Sequence, residues 1–184
     1  MLGLNKTKKN VVKLIGGYWK RKNIFFHDRE GLRPTLGRVR ETLFNWLNQD
    51  LTNKACLDLF AGTGALGFEA LSRNASSCIF VEKNKENFTE LLKNKDTLNA
   101  DKASIFHCPA NIFLKSNTKK FDVIFFDPPF ISKDDYELLD SLVFHLKPKG
   151  LIYVESDSKY ASEILKIVKS SMAGKVYFYL LSKN

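Results

Sequence analysis

The chain has 184 residues, of which 44% are hydrophobic and 12% aromatic. This apolar fraction excludes a wholly disordered chain, and no stretch approaches the roughly eighteen consecutive apolar residues of a membrane-spanning helix or the uninterrupted core of a secretory signal. The net charge of +9 is uneven, because residues 1–50 carry +7 and residues 51–184 carry +2. We therefore expect a cytoplasmic protein without a membrane partner, whose basic N-terminal part meets a polyanion.

The N-terminal part predicts a short strand at 11–15, a turn at Gly16-Gly17 and a helix that opens at Pro34-Thr35. Between them lies a stretch, residues 18–26, in which basic residues stand between aromatic ones. A solvated tail kept charged for solubility explains the first lysines equally well, but it does not explain why basic residues stand between aromatic ones. We expect residues 1–50 to recognise a nucleic acid, and the candidates for phosphate and base contacts are Trp19, Arg21, Arg33, Arg38 and Arg40.

From residue 51 the chain alternates short apolar runs with helical stretches. The predicted strands are 55–60, 78–82, 103–107, 121–126 and 150–155, and the predicted helices are 64–73, 84–98, 110–116, 134–146 and 157–163. Near-continuous apolar strands separated by helices indicate a parallel sheet with helices on both faces. Runs at 164–170 and 176–181 predict a C-terminal antiparallel hairpin. The expected fold is α/β, with a doubly wound, mainly parallel, seven-stranded sheet, this hairpin and a short basic N-terminal extension.

The first candidate binding element is a glycine-rich turn after the first parallel strand, from Asp58 to Gly67. In open α/β sheets, ligands bind beyond the carboxyl ends of the strands, and glycines let the backbone approach a ligand closely. Asp58 would repel a pyrophosphate but suits a ligand with an ammonium group, such as S-adenosylmethionine. At the end of the next strand, Glu82 is placed to accept hydrogen bonds from ribose hydroxyls, which serves NAD and S-adenosylmethionine alike.

The second candidate element is Asp127-Pro128-Pro129-Phe130, directly after the strand 121–126. Two prolines make a stiff loop at the strand end. Such a loop can accept hydrogen bonds from an exocyclic amine while Phe130 stacks on a planar base. The cysteines, Cys56, Cys78 and Cys108, lack the spacing of a zinc site, so we expect no metal.

These motifs together resemble a class I, Rossmann-like S-adenosylmethionine-dependent methyltransferase. The runs 32–47, 56–73, 80–83, 121–130 and 151–156 closely resemble the RsmD family, which methylates N2 of one guanine in small-subunit (16S) ribosomal RNA. The resemblance implies that Asp127, Pro128, Pro129 and Phe130 form the catalytic loop. It implies a cofactor site that includes Asp58, Phe60, Ala61, Gly62, Gly64, Glu82, Lys83, Ala110 and Asp127. The partner would be 16S rRNA in an assembled or partly assembled small subunit, and we expect a monomeric enzyme.

Two departures from the family pattern bear on the site. Pro109 stands where the family usually has an Asp that contacts the adenine amino group. Arg21 stands where the family has Gly, and Gly37 where it commonly has Asp.

Three alternatives stay open. An adenine-N6 methyltransferase would use the same proline loop, and a NAD-dependent oxidoreductase would use the same glycines. A non-catalytic rRNA-binding assembly factor would keep the fold without the activity.

Overall fold

The computed structural model describes residues 9–27, 37–128, 133–157, 160 and 162–184. Its strands are β1 (Lys9–Lys13), β2 (Asn23–His27), β3 (Ala55–Asp58), β4 (Ser77–Glu82), β5 (Ala103–His107), β6 (Phe121–Phe126), β7 (Leu146–Ser156), β8 (Leu165–Ala173) and β9 (Val176–Lys183). Its α-helices are α1 (Gly37–Trp46), α2 (Ala65–Ser72), α3 (Lys85–Leu98), α4 (Ala110–Ser116) and α5 (Lys133–Ser141). None of these helices is long and apolar enough to cross a membrane.

The central sheet has seven strands in the order β5-β4-β3-β6-β7-β9-β8. Strands β3 to β7 pair in parallel, and the C-terminal hairpin places β9 antiparallel to β7 and β8 antiparallel to β9. This arrangement confirms the predicted doubly wound, mainly parallel sheet with a C-terminal hairpin. The sheet has one edge where the parallel strands end, here called the carboxyl edge, and an opposite edge where they begin, the amino edge.

Residues 9–27 form a hairpin that the sequence predicted only in its first half. Strand β1 pairs antiparallel with β2, which lies in the basic and aromatic stretch. Side chains on this hairpin, among them Leu14 and Ile24, share one apolar cluster with α1, α2 and the central strands. The hairpin is also tied to α3, because the Asn94 side chain accepts from Phe25 N–H (2.9 Å) and donates to Phe25 O (2.8 Å). This part of the N-terminal extension is therefore docked on the body.

The predicted helix over 157–163 is wrong for the described residues there, since residues 157, 160, 162 and 163 are not helical. Tyr160 is buried, and its N–H donates to the Tyr179 hydroxyl (3.3 Å). The Ser162 hydroxyl accepts from Ile164 N–H (3.0 Å) and Leu165 N–H (3.2 Å), and it donates to Asp140 (2.9 Å). Serine that bonds to the following backbone favours a turn over a helix, so the chain enters β8 through a serine turn.

The element before β7 also differs from its predicted range. The helix expected to run to residue 146 ends at Ser141, and a single 3₁₀ turn (Leu142–His145) follows it. Strand β7 begins at Leu146, four residues before its predicted start. Pro148 lies within this early part, where the pairing of β6 with β7 is irregular between Phe121 and Val123. Proline has no backbone N–H to donate, and such an irregularity in the sheet tolerates its absence.

Candidate functional site

The glycine turn lies at the carboxyl edge, between β3 and α2. Gly64 precedes α2 with φ of 78°, in the left-handed region that glycine adopts without steric cost. A Cβ atom at Gly64 would also lie 2.5 Å from Leu91 Cδ2, so a larger residue would both strain the backbone and force core side chains to shift. The turn is closed by hydrogen bonds from Gly64 N–H to Ala61 O (2.6 Å) and from Ala61 N–H to Val81 O (2.9 Å). The sequence thus folds this segment into a tight turn that brings backbone close to the strand ends.

Asp58 lies under this turn and is almost fully buried. Its Oδ2 accepts the N–H of Gly67 in the first turn of α2 (2.9 Å). Burial, with a smaller contribution from the nearby charge of Glu82, raises the pKa of Asp58 to about 8 despite the lowering effect of the hydrogen bond from Gly67. A buried carboxylate is stabilised by an adjacent cation. Asp58 therefore fits the positively charged end of a ligand, as well as fastening α2 to β3.

Glu82 ends β4 and holds the turn from the other side. Its Oε2 accepts from Gly62 N–H (2.8 Å) and its Oε1 from Asn84 N–H (2.6 Å). Asn84 in turn caps α3 by accepting from Glu86 and Asn87 N–H. A carboxylate offers about four lone-pair sites, so Glu82 keeps acceptor capacity for ligand hydroxyls beyond these two bonds.

The predicted cofactor residues around these two carboxylates differ in exposure. Phe60 is half-buried and packs edge-to-face on Phe126, with ring centroids 5.1 Å apart. Lys83 is exposed, and its carbonyl accepts from His107 Nε2 (3.2 Å). Ala110 begins α4 directly after Pro109, which is exposed and supplies no side-chain cap. The structure thus places Pro109, whose own side chain has no hydrogen-bond acceptor, directly before α4.

Asp127 and Pro128 follow β6 at the same edge. Strand β6 pairs with β3, with Asp58 opposite Phe125, so Asp127 lies two residues beyond the level of Asp58 on the neighbouring strand. Asp127 is half-buried and Pro128 is buried. Pro129 and Phe130, the rest of the predicted catalytic loop, lie outside the described residues. The structure therefore brings Asp58, Glu82 and Asp127 to one edge of the sheet.

A further pair at this edge, Tyr153 and Glu155 on β7, was missed by the sequence reasoning. The Tyr153 hydroxyl donates to Glu155 Oε1 (2.7 Å). Burial, and then the charges of Glu155 and Asp127, raise the pKa of Tyr153 well above its ordinary value. Because Phe126 pairs with Val154, the next residues, Asp127 and Glu155, lie side by side. The available signal was a carboxylate at a strand end, the same signal that singled out Glu82.

Two of the predicted RNA-contacting residues need correction. Trp19 is 7% exposed, and its backbone N–H donates to Ser72 Oγ (2.9 Å). Arg40 is 4% exposed, donates to Lys13 O (3.1 Å) and lies 3.9 Å from Glu69, which also pairs with Arg73 at 2.8 Å. Neither side chain offers surface to RNA in this structure, because Trp19 packs into the core and Arg40 joins a buried ion cluster that docks the hairpin on α1 and α2.

The other predicted RNA contacts remain available where they are described. Arg21 and Arg38 are exposed, and Arg33 lies outside the described residues. Arg21 adopts φ of 70°, in the left-handed region that glycine adopts without steric cost. The turn that carries Arg21 rests on the C-terminal end of α2, through a hydrogen bond from Tyr18 N–H to Ser72 O (2.7 Å).

Comparison with known proteins gives close relatives over nearly the whole chain. The family described as "Conserved hypothetical protein 95" matches residues 12–182. The chain is 40% identical to ribosomal RNA small subunit methyltransferase D of Escherichia coli K12, over 98% of this chain and 94% of that protein. It is 43% identical to the protein of the same name from Haemophilus influenzae, over 81% of this chain and 80% of that protein.

Solved structures give the same result. The Escherichia coli protein yhhF superposes with a TM-score of 0.84 at 36% identity, over 95% of this chain and 98% of that one. HI0767 of Haemophilus influenzae superposes with a TM-score of 0.77 at 36% identity, over 94% of this chain and 98% of that one. Both the sheet and the N-terminal hairpin therefore fall within the shared structure.

Proposed function

Because the chain belongs to the RsmD family of ribosomal RNA small subunit methyltransferases, we propose that it methylates the exocyclic N2 amine of one guanine in 16S rRNA. Methylation of ribosomal RNA with S-adenosylmethionine is the activity of that family, and the small subunit, assembled or partly assembled, is the proposed substrate. A ribosomal substrate places the reaction in the cytoplasm. The observation that carries the proposal is the convergence of Asp58, Glu82 and Asp127 at one edge of the sheet, beside a glycine turn.

The residues at this edge fit S-adenosylmethionine. When bound, it supplies a methyl group on a positively charged sulfur. Asp58 and the backbone of Ala61 and Gly62 would hold the methionyl end, where the ammonium stabilises a buried carboxylate. Glu82 would accept from the ribose hydroxyls with its remaining lone pairs.

Asp127 and the carbonyl of Pro128 would receive the target amine. An amine on an aromatic ring is a weak nucleophile because its lone pair is delocalised into the ring. Hydrogen bonds from the amine to these two acceptors would localise the lone pair on the nitrogen. They would also orient that lone pair toward the methyl group. Since the methyl group is already activated by the sulfonium, positioning by Asp127 and Pro128 would supply most of the rate.

The target base must leave its stack to reach Asp127. Enzymes that act on a base in structured RNA take an unstacked or extruded nucleotide. Phe130 is the proposed stacking partner for that base, and Arg21, Arg33 and Arg38 are the proposed phosphate contacts. A contact surface this small favours recognition of RNA shape in a ribosomal particle.

The test is methyl transfer from radiolabelled S-adenosylmethionine to small subunits from cells that lack this gene, with naked rRNA and DNA in parallel. Digestion to nucleosides should give N2-methylguanosine, with more label from the particle than from naked rRNA. Label in N6-methyladenine would contradict the proposed base. Absence of label with cofactor bound would favour a non-catalytic assembly factor.

A further inference from the structure

A basic cleft lies at the amino edge of the sheet, on the side opposite the carboxylate-rich site. It encloses about 590 Å³. Five lysines line it: Lys120, Lys147, Lys149, Lys166 and Lys183. They come from the residue before β6, the start of β7, the start of β8 and the end of β9, so they follow four neighbouring strands. With strands about 4.8 Å apart, this row of positive charge, here called the lysine cleft, is about 14 Å long.

The charge in the lysine cleft is concentrated against a nearly neutral background. Residues 51–184 carry a net charge of only +2, and no acidic residue is among those that line the cleft in the described part of the chain. Asp122 lies nearby and is already engaged, since Lys147 Nζ is 2.8 Å from its Oδ2 and Lys54 Nζ 3.7 Å from its Oδ1. Burial acts to raise the pKa of Asp122, but the bond from Lys147 and the two positive charges lower it overall, so this carboxylate stays ionised and paired.

The remaining lysines keep their charge for another partner. Lys120, Lys149, Lys166 and Lys183 are exposed, and none of them makes an ion pair with a described residue. Leu146 and Val168 contribute apolar surface between them. A linear row of exposed cations over an apolar floor matches a chain of phosphates joined by sugars better than it matches a single compact anion.

We propose that the lysine cleft binds the sugar-phosphate backbone of ribosomal RNA, at a place remote from the methylated base. Strand β6 runs from the lysine cleft to Asp127, and its six residues separate the two sites by about 20 Å. Contacts at that distance fix the orientation of a folded RNA without touching the target nucleotide. This inference rests on the proposed function, because it takes the same RNA as the ligand.

The test compares two double variants of the full-length protein. Lys149→Asn with Lys166→Gln removes two charges from the lysine cleft, and Asn tolerates the left-handed backbone at Lys149, whose φ is 63°. The control, Lys95→Gln with Lys102→Gln, removes two charges near β5, which lies four strands away from β7 in the sheet. Binding of each protein to small subunits and to naked 16S rRNA is measured at several salt concentrations, together with S-adenosylmethionine affinity and melting temperature.

We expect the cleft variant to bind both RNA substrates about tenfold more weakly at 0.1 M salt, where the screening length is about 10 Å, while S-adenosylmethionine affinity and melting temperature match the control. The slope of log affinity against log salt should fall by about 1.4–1.8, the value for two lost phosphate contacts. Equal RNA affinity for the two variants would overturn the inference. So would weakened binding to the particle with unchanged binding to naked rRNA, since the partner would then be a protein. Failure of the unmodified protein to bind or methylate either RNA would instead contradict the proposed function.

Discussion

The two edges of the central sheet carry opposite charge. Asp58, Glu82 and Asp127 stand at the carboxyl edge, whereas the lysine cleft occupies the amino edge about 20 Å away. A cationic cofactor and an electron-poor amine need acceptors, and an RNA backbone needs cations. If these carboxylates and lysines lay at the same edge, they would form ion pairs with each other. The separation therefore keeps the acceptors of the cofactor site and the exposed lysines of the cleft from pairing with each other.

The largest expected effect comes from removing the acceptor at the target amine. Asp127→Ala should lower the single-turnover rate of methyl transfer by about 10²–10³-fold, a magnitude typical of losing one positioned group in an active site. S-Adenosylmethionine affinity should change little, because Asp58 and Glu82 remain. Rapid-quench transfer to small subunits, alongside calorimetric titration of the cofactor, separates the two effects. A comparable loss of both would contradict the role assigned to Asp127.

The second prediction uses the unusual ionisation of Asp58. Its folded-state pKa of about 8 lies above the unfolded value, so between about pH 4 and pH 8 the folded protein holds a proton that the unfolded chain has lost. The stability of the cofactor-free protein should therefore fall as pH rises through this window, by roughly 2–4 kcal/mol from pH 5 to pH 8.

The matched control for this prediction is Asp58→Asn, which keeps an oxygen acceptor for Gly67 N–H and cannot ionise. Denaturant unfolding at each pH should show the fall for the natural protein and a flatter profile for the variant. Saturating S-adenosylmethionine should reduce the fall, since its ammonium stabilises the carboxylate. Parallel profiles for both proteins would show that Asp58 does not carry the buried proton.

The third prediction concerns the cofactor alone. The two oxygens of Glu82 accept from two backbone N–H groups, those of Gly62 and Asn84. Glu82→Gln keeps one oxygen acceptor but replaces the other with an NH₂ group, which cannot accept from the second N–H. We expect S-adenosylmethionine affinity to fall about tenfold, in line with the loss of a hydrogen bond to a charged group. Equilibrium dialysis measures it, and RNA affinity serves as the internal control. Unchanged cofactor affinity would argue that the ribose lies elsewhere.

The smallest expected effect comes from Arg21. Arg21→Gly relieves a left-handed backbone conformation that costs an ordinary residue about 1 kcal/mol, so stability should rise by up to that amount. The same change should reduce the salt dependence of RNA binding by about one phosphate contact if Arg21 touches the backbone. Thermal unfolding measures the change in stability, and salt titration of RNA binding measures the loss of the phosphate contact. An unchanged salt slope would remove Arg21 from the RNA surface.

Much of the carboxyl edge could be predicted from sequence because its signals are local. Parallel strands are buried on both faces, so they stand out as apolar runs, and the residues at their ends can be read directly. Asp58, Glu82 and Asp127 were placed correctly at one edge for that reason. The prediction of a helix over 157–163 was wrong. There the Ser162 hydroxyl accepts hydrogen bonds from the backbone that follows it, and helical periodicity in the sequence does not reveal this competition with helix formation.

The N-terminal hairpin and the amino edge were harder to predict because their contacts join distant parts of the chain. Trp19 and Arg40 looked like surface residues in a basic, aromatic stretch. Their burial depends on Ser72 and Glu69 of α2, which lie 53 and 29 residues further along the chain. The lysine cleft likewise forms only when the ends of four strands meet. In the sequence its lysines are spread among ordinary surface charges.

The most direct test of this division of charge is a crossed measurement on two variants. Glu82→Gln and the cleft variant Lys149→Asn/Lys166→Gln are each titrated with S-adenosylmethionine and with small ribosomal subunits. We predict that the first loses cofactor affinity and keeps RNA affinity, and that the second does the reverse. Loss of both affinities in either variant would contradict the assignment of cofactor and RNA backbone to opposite edges of the sheet.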